Sequence, residues 1–140
     1  PESARSTLRA PFKEQIIFPL DVCEKIHFTA ERYQQIKQRI HNPLFQDMLA
    51  NHWTTPMFKK DKNFYTFIWD VLAAAMVIDP SLVTEARSYP VDVDATYGPS
   101  YGQSLAFLGV GPEGTQSAKI VFTVDENKVW NMIYDLCSSL

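Results

Sequence analysis

The stretch Phe67-Ile68-Trp69-Asp70-Val71-Leu72-Ala73-Ala74-Ala75-Met76-Val77-Ile78 carries one formal charge in twelve residues. Its apolar residues fall on every side of a helix, so the pattern predicts a helix buried all round rather than an amphipathic surface helix. A carboxylate taken into such a setting meets a cation, accepts hydrogen bonds from several donors, or takes up a proton. Which of these Asp70 finds constrains both the packing around the helix and the chemistry available to it. At twelve residues the run is too short to cross a bilayer.

The chain has 140 residues, of which 46% are hydrophobic and 13% aromatic, enough to build one domain with a real core. A net charge of −3 and a pI near 5.5 argue against a nucleic-acid or anionic-membrane binder. Cys23 and Cys137 are far apart and form no CxxC or zinc-ligand spacing. Two separate buried thiols in a reducing cytoplasm are expected, with a single disulfide as the alternative. No signal-peptide pattern is present, and a cytoplasmic location is expected. Pro1-Glu2-Ser3-Ala4-Arg5 reads as the first turn of a helix with Pro at its opening position and nothing before it to cap it. That suggests a chain beginning inside something larger, or a trimmed one.

Helix is expected from Pro1 to about Leu8. The apolar run Gln15-Ile16-Ile17-Phe18-Pro19-Leu20 suits a strand buried on both faces, as in a parallel sheet, with its partners elsewhere. Thr29 caps a helix that carries Tyr33, Ile36 and Ile40 on one side, and Pro43 starts another reaching about His52. Thr54 to Asn63, with Pro56 and three lysines, reads as an exposed loop of the kind that forms lids. The apolar helix ends at Asp79-Pro80. Tyr89–Asp94 and Gln103–Leu108 then form an antiparallel hairpin around a Gly/Pro turn, Lys119–Val124 is another strand, and Asp125 caps a final amphipathic helix bearing Val129, Trp130, Ile133, Tyr134 and Cys137. The fold class is α/β, with helices, a buried strand and a small antiparallel addition.

Few residues carry a chemical signal. The plainer reading of Asp70 is an acid in a helix first turn, satisfied by backbone N–H groups and the dipole; Trp69 beside it is by default a core aromatic. Asp21 follows the buried strand, where α/β proteins place their sites, or it caps a loop. His27, His41 and His52 show no metal spacing and read as surface or interface residues. Lys59, Lys60, Asp61, Lys62 and Asn63 read as a solvated face. Tyr65 and Phe67 line a pocket or belong to the core. There is no phosphate-binding Gly-rich loop, nucleophile elbow or HExxH.

Several stretches, taken in order, resemble the carboxyl-terminal part of the nucleoside hydrolase family. Pro1-Glu2-Ser3-Ala4 is similar to its "DPEAA" segment without the first Asp. Ile17-Phe18-Pro19-Leu20-Asp21-Val22 is similar to its "PLDVT" strand end, with Cys23 in place of Thr, and Thr29-Ala30-Glu31 to the next helix start. Trp69-Asp70-Val71-Leu72-Ala73-Ala74-Ala75 followed by Ile78-Asp79-Pro80 is similar to "(H/W)DPLAAA…DP". Val91-Asp92-Val93, Gly98 and Tyr101-Gly102-Gln103-Ser104 resemble its late hairpin, and Val124-Asp125 the opening of its last helix. The resemblance implies that residues 1–140 are the carboxyl-terminal part of a single domain, a mostly parallel sheet flanked by helices with a late antiparallel hairpin. It implies cleavage of the N-glycosidic bond of ribonucleosides to ribose and free base, with one Ca2+ that activates a water and grips the ribose hydroxyls. By the same resemblance Asp70 is a calcium ligand, and the segment from Trp53 to Phe67 closes over the site with Tyr65 and Phe67 as base neighbours. A homodimer or homotetramer and a role in nucleoside salvage are implied as well.

Two departures from the family pattern matter. Many members have His before this Asp, suited to protonate the leaving base. Trp69 instead resembles the purine-preferring subgroup, where the base stacks on tryptophan and can be protonated from solvent. Purine nucleosides (inosine, adenosine, guanosine) are therefore the expected substrates. The family's amino-terminal "DTDPGxDD" cluster, which supplies most calcium ligands and the base that activates water, has no counterpart here. The 140-residue chain alone is expected to be inactive and to need the missing amino-terminal part of the same protein. Two alternatives remain: a noncatalytic binding or interaction module in which Asp70 only caps its helix, and a family member that binds nucleosides without cleaving them.

Overall fold

Caps and chain-breakers set most element boundaries in the computed structural model, which describes residues 1–140. In chain order the elements are α1 (Glu2–Leu8), β1 (Ile16–Ile17), α2 (Leu20–Cys23), β2 (His27–Thr29), α3 (Ala30–Arg39), α4 (Pro43–Ala50), α5 (Thr54–Lys60), β3 (Tyr65–Phe67), α6 (Trp69–Ile78), a 3₁₀ turn at Pro80–Leu82, β4 (Val83–Val93), β5 (Ser104–Ala106), β6 (Gln116–Val124) and α7 (Glu126–Ser139). Thr29 Oγ1 accepts from Arg32 N–H, Asn42 Oδ1 from Leu44 N–H, Asp79 Oδ1 from Ser81 N–H and Asp125 Oδ1 from Lys128 N–H. Each satisfies a donor that a helix start leaves open. The chain divides into two compact units, residues 1–19 with 85–123 and residues 20–84 with 124–140.

The first unit is built on a four-stranded sheet in the order β1-β6-β4-β5. β1 pairs parallel with β6, Ile16 facing Lys119, and β4 pairs antiparallel with β5, Val91 facing Ala106. The hairpin expected from the turn residues is thus present. The strand expected over Gln15–Leu20 is shorter, and it is half-buried rather than enclosed on both faces. Its parallel partner is β6 of this same chain, not an element elsewhere. Pro19 ends it by removing a ladder donor. Gly102, at φ +91, closes the β4–β5 turn where only glycine is unstrained, and its N–H reaches Asp94 O at 2.8 Å.

One buried carboxylate ties this unit together. Asp92 is 4% exposed. Arg9 grips it through both nitrogens, Nη2 to Oδ2 at 2.6 Å and Nε to Oδ1 at 3.0 Å, and Arg5 Nε adds a third contact at 3.3 Å. The helix α1 and the strand β4 are joined by that clamp, whose bidentate geometry is the strong form of an arginine–carboxylate bond.

The second unit is mostly helical around a two-stranded antiparallel ribbon. His27 faces Phe67, Phe28 faces Thr66 and Thr29 faces Tyr65. Phe28 sits 5.3 Å from the Phe58 ring and 6.1 Å from Trp130, centroid to centroid, which links the ribbon to α5 and α7. Arg32 of α3 lies over Trp130 at 4.8 Å and donates to the Tyr134 hydroxyl at 2.9 Å, fastening α3 to α7. Both cysteines are free and buried, as expected for separate thiols.

Two expectations fail here. Thr54–Asn63 is not an exposed loop. Its first seven residues fold into α5, with Thr54, Thr55 and Phe58 buried, and only residues 61–63 form an exposed turn. Pro56 is tolerated because it lies in the first turn, where its missing N–H has no helical partner to lose. The second failure is α6, which buries only Leu72 and Ala75 and leaves Val77 and Ile78 about three-quarters exposed, at 76% and 73%. This chain supplies packing partners to one side of the helix only.

The Asp92 clamp has a pH signature. Hydrogen bonding from Arg9, followed by the Val93 backbone N–H and the charges of Arg5 and Arg9, lowers the Asp92 pKa from 3.8 to about 2 against the opposing effect of burial. The native state therefore prefers the ionised form. The clamp's stabilisation is complete above the unfolded value and is lost as pH falls from near 4 through about 2. Asp92→Asn should lower unfolding stability by on the order of 2 kcal/mol and flatten the stability profile in that acid window. Urea titrations of both proteins across it check this.

Candidate functional site

The ribbon and α6 meet with one residue between them. β3 ends at Phe67, Ile68 turns at φ −115 and ψ 45, and Trp69 is already helical. Trp69 and Asp70 are therefore set at the junction of a strand end and a helix start. Ile68 has no side chain able to cap, and α6 has no side-chain cap. Asp70 lies in the first turn, where a carboxylate is favoured by the partial positive charge of the open N–H groups. It is exposed, and none of the ion pairs of the structure involves it.

A cavity of about 290 Å³ opens beside this junction. Its wall brings together Phe67, Trp69 and Asp70 with Phe28 from β2 and with His52, Trp53 and Thr54 from the entry to α5. Trp69 is 43% exposed and its ring lies 5.5 Å from that of Phe67. A second aromatic, Trp53, is exposed on the same wall and sits edge-on to Phe64 at 6.4 Å. An apolar, aromatic cleft with a few polar groups is the common form of a small-molecule site. The exposed part of the Trp69 ring offers a flat apolar surface to a ligand.

The other residues singled out in the sequence fall as follows. Tyr65 is half-exposed and stacks on His27 at 4.4 Å, away from the cavity wall. His27 Nε2 also lies 3.1 Å from Glu24 O. Asp21 is in α2, which packs on α6. The Cys23 thiol is pushed up, by its burial first and then by the negative charges of Asp21 and Asp70. Lys59 and Lys60 close α5 on its exposed side. Trp53 and Thr54, within the segment expected at the site, do line the cavity, and His52, read as a surface or interface residue, is what the sequence reading missed. The signal was there in the i, i+1, i+4 spacing of Thr54, Thr55 and Phe58, which makes a buried helix face.

The chemistry of the donors bears on a metal. Calcium takes roughly six to eight oxygen ligands. Asp70 fits as one hard, anionic oxygen donor at an open position. No three His, Cys, Asp or Glu side chains of this chain gather into a set able to hold an ion. No helix is long and apolar enough to cross a membrane.

Comparison with solved structures places this architecture. An inosine-guanosine nucleoside hydrolase superposes with a TM-score of 0.80 at 15% identity, covering 98% of this chain and 43% of that one. The inosine-uridine preferring nucleoside hydrolase from Bacillus anthracis gives 0.72 at 21% identity, covering 100% and 41%. A purine-preferring ribonucleoside hydrolase from Gardnerella vaginalis gives 0.68 at 19% identity, covering 100% and 45%. The α/β fold is thus that of the nucleoside hydrolases, and this chain spans less than half the length of each of those proteins. No curated protein matches it significantly. The inosine-uridine preferring nucleoside hydrolase pattern matches residues 1–131, and the chain belongs to that family.

Proposed function

We propose that the complete protein hydrolyses the N-glycosidic bond of purine ribonucleosides, and that this chain provides the base-stacking wall and one calcium ligand. The observation that carries the reading is the shared cavity of Trp69, Phe67 and Asp70 at the start of α6. An aromatic face and a free carboxylate side by side match the two ends of a nucleoside, base and ribose. Two of the solved relatives bear on substrate class, being described as inosine-guanosine and purine-preferring hydrolases.

In the reaction, a water oxygen bonds to C1′ of the ribose as the C1′–N bond breaks. The bonding pair leaves with the base, the water surrenders a proton, and the base gains one. Positive charge builds on the sugar in such a transition state, which a carboxylate near the ring stabilises. Calcium, when bound, would lower the pKa of a water and hold the ribose hydroxyls; Asp70 would be its ligand from this chain. Trp69 stacks the purine and favours it as it takes up positive charge. With a single ligand of the several that calcium needs, the 140-residue chain alone is inactive and requires the rest of its domain. Nucleoside salvage is the role that fits the reaction.

Kinetics and calcium binding of the complete protein and its variants test this. In the complete protein, Asp70→Ala should lower kcat/KM for inosine by about 100-fold or more, and a calcium chelator should have a similar effect on the unmodified protein. The isolated 140-residue chain should give no turnover. Activity indifferent to both treatments would remove Asp70 and the ion from the mechanism. Trp69→Ala should lower purine kcat/KM by about 10- to 100-fold and uridine hydrolysis much less, with calcium affinity by titration calorimetry unchanged. Equal losses in catalysis and in calcium affinity would reduce Trp69 to a packing residue.

A further inference from the structure

Helix α6 meets water with a face unlike those of α3 and α7. Besides Asp70, its exposed residues are Trp69, Val71, Ala73, Ala74, Val77 and Ile78. The indole N–H of Trp69 is the only polar side-chain group among those six. The covered side, Leu72 and Ala75, has α2, α7 and the 3₁₀ turn as neighbours. By contrast, α3 exposes Glu31, Gln34, Lys37 and Gln38. α7 exposes Leu136 among acids, a lysine, asparagines and serines. Where this chain leaves those helices to water it makes the face polar. α6 breaks that pattern along its whole length, and a helix apolar all round is one built to be covered.

Asp70 narrows what can cover it. Residues at three- and four-residue spacing share a helix face, so Asp70 stands in line with Ala73, Ala74, Val77 and Ile78. A cover that seals this row also takes water from the carboxylate and must give it donors or a cation. A second copy meeting the face with its own would set each Asp70 against alanine, valine and isoleucine. A lipid tail would offer it nothing. The rest of the same protein can carry both the apolar and the polar groups, and its length suffices. Solved structures with this fold are matched by this chain over 43%, 41% and 45% of their own length, so more than half of such a chain lies outside these residues.

We propose that the exposed face of α6 is the seat of the part of this protein amino-terminal to Pro1, which lays apolar side chains on Ala73, Ala74, Val77 and Ile78 and sets hydrogen-bond donors or a cation against Asp70. This rests on the reading above that the chain works as part of a longer protein. Docking and completion of the site are then one event, because the segment that covers Val77 and Ile78 also completes the surroundings of Asp70 on the same face.

Single cysteines in the complete protein read the cover directly. Val77→Cys and Ile78→Cys probe the face, and Gln38→Cys, on the polar side of α3, is the exposed reference. Cys23 and Cys137 are buried, and the unmodified protein gives the background. Maleimide should label Val77→Cys and Ile78→Cys at least about 100-fold more slowly than Gln38→Cys, at every protein concentration. Ala74→Cys, one turn nearer Asp70, gives the same reading should either variant fail to fold. A diazirine side chain at position 77 should cross-link to a peptide amino-terminal to Pro1. Labelling as fast as that of Gln38→Cys overturns the proposal. So does protection that disappears on dilution, which makes a second copy the cover, and so do cross-links confined to residues 1–140. A protected face in a complete protein that cleaves no nucleoside upholds the docking and overturns the hydrolase reading alone.

Discussion

The pairing of His27–Thr29 with Tyr65–Phe67 is the contact on which the site depends. Three residue pairs set where β3 ends, and one residue later α6 begins. A strand slipped by one position would turn every side chain to the opposite face, and Phe67 would leave the cavity wall. The ribbon is short, and two strands alone are marginal in water. Phe28 holds it in place by packing against Phe58 and near Trp130, so helices far along the chain stabilise the register that aims Trp69 and Asp70.

The exposure of α6 changes the reason for thinking of a metal at Asp70. A fully enclosed carboxylate would have to find a cation or a proton. Asp70 is open to water and faces neither demand. Its case as a ligand rests instead on its position beside an aromatic cleft and on the family to which the chain belongs. The exposed Val71, Val77 and Ile78 on the same helix form an apolar surface of a kind that proteins seldom leave to solvent.

Local signals proved readable wherever one residue decides the geometry. Thr29 and Asp125 cap as their side chains dictate, Asp79-Pro80 ends α6, Pro43 starts α4, and the glycine-rich turn between β4 and β5 makes the hairpin. The strand β3 was not readable, because three residues between a charged turn and an apolar helix carry no clear alternation. α5 was hidden for a related reason: threonine and lysine look like loop chemistry until Thr54 and Thr55 are seen to bury their hydroxyls on His52 and Leu49. The Arg5–Asp92–Arg9 clamp joins residues more than eighty positions apart, and no local pattern could reveal it.

The sequence by itself determined the helix starts marked by a capping residue or proline, the hairpin turn, and the order of motifs that marks the family, because those depend on neighbours within a few residues. Only the tertiary structure decided which face of α6 is covered, that Gln15–Leu20 finds its parallel partner in β6, and that His52 joins Trp69 and Asp70 around one cavity. These outcomes depend on contacts between segments distant in the chain, where burial and hydrogen bonding are settled by what lies opposite and not by what lies next.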